Sequence, residues 1–390
     1  MAQDKDLKTP NVPPLRFPGF TDKWKRIKVS ELLDFYSTNS LSWDMLNYDG
    51  GEIKNLHYGL IHSGLPTLVD VSKDSFPFVN EASTPKKYTL CKEGDVAFAD
   101  ASEDTNEVGK VVEFLNTNGE NIISGLHTIH GRDKSDMTVT GFKGYAFSSM
   151  PFHHQIRRIA QGTKIYSIST KTFDEVYIGV PTKDEQAKIA RLLQLLDERI
   201  ATQNKIIDNL QSLIKGLAKT FTHHGEPNSR ISDCLECHTS TLQEGALNED
   251  GKYLVYGASG VVGFLDDYRC DKDSILIIKD GSGAGTVSYA TGEYSVIGTL
   301  NYLTAKSGYS LKYLYFCLMS FNFEQFKTGM AIPHIYFRDY GQAKIYCPSI
   351  EEQEHIAKAL TIIENKLNIE SRLLKSLYME KQYLLNNMFR

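Results

Sequence analysis

The chain has 390 residues, with 43 Lys and Arg against 48 Asp and Glu and a formal net charge of −5; its length leaves room for two or three domains. Hydrophobic residues make up 41% and charged residues 23%. That balance excludes general disorder, and the mild acidity gives no global electrostatic reason to expect nucleic acid or a membrane surface.

The opening MAQDKDLKTP has no apolar stretch behind its charges, so it predicts no secretory signal and a cytoplasmic location. The six cysteines then read as reduced thiols. Apolar and β-branched runs from Gly94 to Ala99 and from Lys110 to Leu115 predict short strands. Residues 153 to 164 form the most basic stretch of the first half, either a solvated helix face or a phosphate contact. A long helix is predicted over residues 182–222, after Pro181, then a hinge, His223 to Ser229. Further strands are predicted from Asp273 to Ile278 and Tyr294 to Ile297, with a flexible loop, Gly281 to Thr286, whose amides and hydroxyls could approach a phosphate. The longest apolar run, around Tyr313 to Phe323, falls well short of a membrane span of about 18 residues. A second long helix is predicted after Pro348.

The chain is duplicated. A shift of 167 places aligns residues 162 to 222 with 329 to 389 without a gap, and identities fall at Gly162/Gly329, Ile165/Ile332, Ile168/Ile335, Ile178/Ile345, Pro181/Pro348, Glu185/Glu352, Gln186/Gln353, Ile189/Ile356, Ala190/Ala357 and Leu193/Leu360. Upstream the similarity is weaker: Tyr58-Gly59 resembles Tyr256-Gly257, and Gly94 to Phe98 resembles Asp273 to Ile277. Each half thus has a variable front and a shared back, as expected of two modules with one frame and different specificities.

Both helices are predicted to open with a capping box, Thr182 to Glu185 and Ser349 to Glu352. Ile189, Leu193, Leu196, Ile200, Ile207 and Leu210 then form a 3.5-residue stripe, continued by Ile214, Leu217 and Phe221. Ile356, Leu360, Ile363, Leu367, Leu374 and Leu377 form its counterpart. Polar breaks fall at the equivalent Gln203 and Glu370, with one more at Lys381. About 40 residues at 1.5 Å each make rods of about 60 Å. Paired with each other, the helices would be antiparallel spacers between two readers, a ruler suited to a DNA target of two elements and a gap of up to roughly 18 base pairs.

The run from Gln161-Gly162-Thr163 through Ile168, Ile178, Pro181 and Glu185-Gln186-x-x-Ile189-Ala190, repeated from Gly329 to Ala357, resembles the specificity subunit of type I restriction-modification systems. The start Pro14-Leu15-Arg16-Phe17-Pro18-Gly19-Phe20, followed by Trp24, is similar to that family's usual opening. The resemblance implies an α+β chain: target recognition domains at 1–181 and 223–348, and spacer helices at 182–222 and 349–390 forming an antiparallel coiled coil with pseudo-two-fold symmetry. It implies partners as well: double-stranded DNA, two methyltransferase subunits docked on the helices, and two restriction/translocase subunits when the complex cleaves. S-adenosylmethionine, ATP and Mg would belong to those partners, with no cofactor in this chain.

Polarity and expected loop position select Ser102, Lys110, His127, Arg157, Arg158, Lys164, Ser282, Thr286, Thr299, Asn301, Lys327 and Arg338 as candidate DNA contacts. Residues 1 to 181 hold 20 basic and 23 acidic side chains, and residues 223 to 348 hold 10 and 14, so much of the phosphate clamp is expected from partner subunits.

Cys234-Leu-Glu-Cys237-His238 matches the C-x-x-C-H haem signature. Its plainer reading is strand-forming sequence with reduced thiols, and zinc would need two further ligands. Neither a nucleotide P-loop nor a methyltransferase motif occurs: Gly281 to Thr286 lacks the Lys-Ser/Thr ending, and Asn11-Val12-Pro13-Pro14 lacks the aromatic. A carboxylate nuclease centre at Asp184-Glu185 or Glu351-Glu352 competes with a helix-capping explanation. A non-catalytic DNA-recognition subunit is therefore expected, the alternative being a coiled-coil protein adaptor without DNA specificity.

Overall fold

The computed structural model describes residues 12–390, so Asn11 and the opening segment lie outside it. It divides into two compact units, one of residues up to 202 with 374–390, the other of residues 203–373.

The first unit is built on a five-stranded sheet. Its strands are β1 (Leu33–Tyr36), β2 (Leu68–Asp70), β3 (Val96–Ala99), β5 (Val111–Asn116) and β6 (Thr128–Asp133), in the order β1-β6-β3-β5-β2. Short strands β4 (Ala101–Ser102) and β7 (Tyr166–Ser167) pair beside it. A four-stranded sheet carries Lys54–Leu56 parallel to Ile122–Ser124. Helices α1 (Phe142–Phe147) and α2 (Met150–Ile159) cover the main sheet with Phe98, Phe142, Phe147, Phe152 and Phe173, all buried.

The second unit repeats the plan with fewer strands. Here β8 (Leu235–Thr239), β9 (Ser274–Ile278), β10 (Val287–Ala290) and β11 (Leu300–Ala305) form an antiparallel sheet in the order β8-β11-β9-β10. The run near Tyr313 is the buried helix α4 (Leu311–Met319) against that sheet.

Strand registers fix the equivalences that sequence left loose. Phe98 faces Ile129 on the neighbouring strand as Ile277 faces Asn301, which confirms the pairing of Gly94–Phe98 with Asp273–Ile277. The Tyr58/Tyr256 pairing is corrected by two residues: Asn55 lies opposite Ile123 where Val255 lies opposite Ser295, so Leu56 matches Tyr256, and Tyr58 opens a short helix instead.

The long helices are α3 (Lys183–Thr222) and α5 (Ile350–Asn387). In the first unit Ile189, Ala190 and Leu193 share a core with Leu385, Met388 and Phe389, and Asp197 bonds Lys381. In the second, Ile214 and Ala218 share a core with Ala357 and Leu360. In both units the helix segments therefore meet antiparallel. Leu196, Ile200 and Ile207 are buried as well, and Leu210, Ile356, Ile363, Leu367, Leu374 and Leu377 are half-buried.

The polar breaks are paired. The Gln203 amide donates to the Glu370 carboxylate and, at 3.2 Å, to the Glu370 carbonyl. Lys381 meets Asp197, which also accepts from the Tyr145 hydroxyl at 2.9 Å.

The capping-box expectation is corrected at α3. Glu185 accepts two hydrogen bonds from Arg16, at 2.8 and 2.7 Å, and one from the Trp24 indole at 3.2 Å. A bidentate guanidinium outcompetes a neutral backbone donor for a buried carboxylate. At α5 Ser349 Oγ does accept from the Glu352 N–H, at 3.3 Å. The repeated glutamine makes the same pair of bonds in both units. Gln186 accepts from the Val139 N–H and donates to the Pro181 carbonyl, while Gln353 accepts from the Ser310 N–H and donates to the Pro348 carbonyl. Each buried amide thus ties a spacer helix to the segment that leads into α1 or α4.

Candidate nucleic-acid interface

In the first unit three segments converge at the end of β3. The Ile168 N–H donates to the Asp100 carbonyl at 2.8 Å, and the Asp100 N–H donates to the His127 carbonyl at 3.0 Å. His127 has a left-handed backbone, with φ at 54°, and its ring Nδ1 lies 3.1 Å from Asp100 Oδ1. Ser102 pairs with Tyr166 just beside them.

The second unit repeats this backbone with other side chains. The Ile335 N–H donates to the Lys279 carbonyl at 2.9 Å, and the Lys279 N–H to the Thr299 carbonyl at 3.0 Å. Thr299 is thus the counterpart of His127, and Lys279 that of Asp100. The Gly281 N–H donates to the Pro333 carbonyl, and His334 Nδ1 lies 2.8 Å from Asp280 Oδ1. One frame presents an Asp–His pair in one unit and Lys279 with another Asp–His pair in the other, while the Thr299 hydroxyl oxygen is buried and contributes through its backbone. Carboxylate, imidazole and ammonium groups are donors and acceptors suited to base edges.

Around the first frame lies a cluster that the linear sequence does not reveal. Trp43, half exposed, packs on His57 with ring centres 4.3 Å apart, and Tyr58 touches His57, His62 and His127. Burial, and then the neighbouring His127, hold His57 below the ordinary imidazole value. His57 Nδ1 accepts from the Gly59 N–H at 3.1 Å. His62 bridges the Ala101 carbonyl and Glu107.

The sequence candidates separate into groups. Ser102 and His127 lie at the first frame, Lys164 is exposed on the loop that precedes Tyr166, and Arg157 donates to Asn106 at 2.8 Å. Arg158 is exposed on α2, while the Lys110 ammonium is held by Glu107 at 2.9 Å. Thr299 stands in the second frame, Lys327 pairs with Glu324, and the exposed Arg338 lies over the Tyr336 ring. Asn301 is corrected. It is 3% exposed on central strand β11, at the core position that Ile129 fills in the first unit, so it cannot reach DNA. The Gly281 to Thr286 loop is corrected from flexible to turn-bonded: the amides of Gly281, Ala284, Gly285 and Thr286 already donate within the protein, leaving the Ser282 and Gly283 amides and the exposed Ser282 and Thr286 hydroxyls for a ligand.

The Cys234 to His238 segment spreads along the end of a short helix and strand β8. Cys234 faces Cys347 with sulfurs 3.7 Å apart, His238 bonds Thr304 and stacks on Tyr302, and burial pushes the Cys237 thiol up to about 11. Among the described residues no three His, Cys, Asp or Glu side chains converge as a metal site. No described helix is long and apolar enough to cross a membrane.

The family model described as type I restriction modification DNA specificity domain matches twice, over residues 21–212 and 228–378. The chain belongs to this family. It is 24% identical over 289 residues to the type I restriction enzyme MjaVIII specificity subunit of Methanocaldococcus jannaschii, covering 62% of this chain and 68% of that one. Its fold is similar to the crystal structure of the type I restriction-modification S subunit from M. genitalium, with a TM-score of 0.63 at 18% identity over 97% of this chain and 99% of that one. A structure from work on complex assembly and conformational transition of the type I system gives a TM-score of 0.54 at 15% identity over 96% of this chain and 98% of that one. As a member of this specificity family the chain is a DNA-recognition protein. Both variable fronts lie within the matches, which the adaptor alternative leaves without a role.

Proposed function

We propose that each unit reads one half of a two-part DNA site and that α3 and α5 set the gap between the halves. The observation that carries this reading is the repeated backbone frame, which holds Asp100 and His127 in one unit and Lys279 and Thr299 in the other. A shared frame with different donors and acceptors gives two readers of different bases. The recognition domains would span 1–181 and 223–348, with spacers at 182–222 and 349–390.

The chain itself is proposed to be non-catalytic, with S-adenosylmethionine, ATP and Mg bound by two methyltransferase and two translocase subunits. Exposed apolar side chains recur at equivalent spacer positions, Leu195 with Ile362 and Ile206 with Leu373. Repeated apolar exposure of this kind suits two copies of one partner.

The reading is tested by methylome sequencing of cells expressing this chain with its methyltransferase. A two-part motif with a fixed gap is expected, and the absence of any new motif refutes the reading.

A further inference from the structure

A second duplicated feature lies beside the frames and shares only His334 with their side-chain pairing. Residues Gln161–Ser167 and Thr328–His334 are loops of equal length at equivalent positions, each closed by a backbone bridge between its end residues, Gln161 with Ser167 and Thr328 with His334. Each turns on a glycine of positive φ, Gly162 at 134° and Gly329 at 89°. A Cβ at either glycine would run into the carbonyl of Ile165 or Ile332, so both loops close too tightly for another residue.

Each tight loop raises an isoleucine into solvent. Ile165 is 59% exposed and Ile332 58%, and Met330 beside it is fully exposed. One exposed aliphatic side chain needs no explanation. The same residue, at the same place on the same glycine-locked loop in two otherwise divergent domains, does.

Charge indicates the occupant. No Asp or Glu occurs from residue 151 to 173, a stretch that holds Arg157, Arg158, Lys164 and Lys171, and none occurs from 325 to 338, which holds Lys327, His334 and Arg338. In a chain of net charge −5 the first stretch gives Ile165 a local positive surrounding, while in the second Lys327, His334 and Arg338 lie beside Glu324, Asp280 and Asp339 and leave Ile332 in a mixed polar rim. Apolar tips flanked by cations are how proteins pack against sugar edges and wedge base steps while neighbouring side chains hold phosphates.

We propose that Gln161–Ser167 and Thr328–His334 are paired DNA fingers, with Ile165 and Ile332 packed against the duplex in a contact common to both half-sites and independent of their bases. This rests on the DNA-reading function proposed above. The frame beside each finger, Asp100 with His127 or Lys279 with Asp280, would supply the base selection.

The experiment uses the full chain assembled with its methyltransferase, acting on unmethylated genomic DNA and read by sequencing over a time course. Ile165→Ser and Ile332→Ser are each expected to leave the motif unchanged and slow methylation at all its sites by about tenfold or more. The salt dependence of the rate should stay as in wild type, because no phosphate contact is lost. Ile165→Leu and Ile332→Leu should retain most activity. Unchanged rates in the serine variants would overturn the proposal. So would loss of methyltransferase from the complex on gel filtration, since the tips would then be protein docking points, and so would an altered motif, since they would then read bases. Failure of the wild-type complex to yield any motif would refute the DNA-reading function itself, a result distinct from a motif that is insensitive to the serine changes.

Discussion

Asp95 sits at the inner end of β3 and is 1% exposed. Arg132 donates to both its oxygens at 2.7 Å, and His130 Nε2 lies at 2.8 Å. Burial alone would raise the carboxyl; the hydrogen bonds from Arg132 and then His130 outweigh it and hold the group below the ordinary range. The ionised form therefore stabilises the fold above the ordinary carboxylate pKa of about 4, and that contribution is lost as pH falls through the depressed folded value. Asp95→Asn should cost about 3 kcal/mol at pH 7, measured by urea unfolding, because it leaves Arg132 without its buried partner. The gap to wild type should narrow below about pH 4; an equal gap at both pH values would show that charge is not what stabilises there. Arg16→Met should likewise cost about 3 kcal/mol by urea unfolding, since Glu185 would stay buried without its guanidinium. Neither network is legible from spacing, because Asp95 is 35 residues from His130 and Arg16 is 169 from Glu185.

At the scale of elements, the spacer helices were the most legible part of the chain. Their stripes show in sequence because helical contacts recur every three or four residues, and the polar breaks at Gln203 and Glu370 stand out against them. What the breaks do required coordinates. Gln203 and Glu370 are related by the internal repeat and touch each other, and this polar contact suits a register-setting role in the manner of a buried polar coiled-coil residue. Glu370→Leu should cost about 1–3 kcal/mol in urea unfolding, because the Gln203 amide is left buried without its carboxylate partner. Gln203→Leu combined with Glu370→Leu should recover most of that loss. A double variant no more stable than the single one would show that the two groups do not act as a matched pair.

For the whole molecule, the duplication implies modular specificity. Exchanging residues 223 to 348 for those of a homologue should change one half of the methylation motif and leave the other half and the gap intact; a change in both halves would refute independent readers. The acidic balance of both fronts implies that the isolated chain holds DNA weakly. Fluorescence anisotropy at physiological salt should show far tighter binding of a cognate duplex by the assembled complex than by the chain alone, and equal affinities would contradict a phosphate clamp supplied by partners.

The sequence by itself determined the duplication, the two long helices, the central strands and the family, because all of these are written in periodicity or in residues close together along the chain. Only the tertiary structure decided which polar residues face outward. Asn301 is buried because its strand runs through the middle of a sheet, and Glu185 left its expected cap for Arg16. Trp43, His57, Tyr58 and His127 became neighbours through strand pairing, and Asp100 and Lys279 became counterparts through register. Such contacts join segments far apart along the chain, where pattern carries no signal and only the closing of each sheet sets the distance.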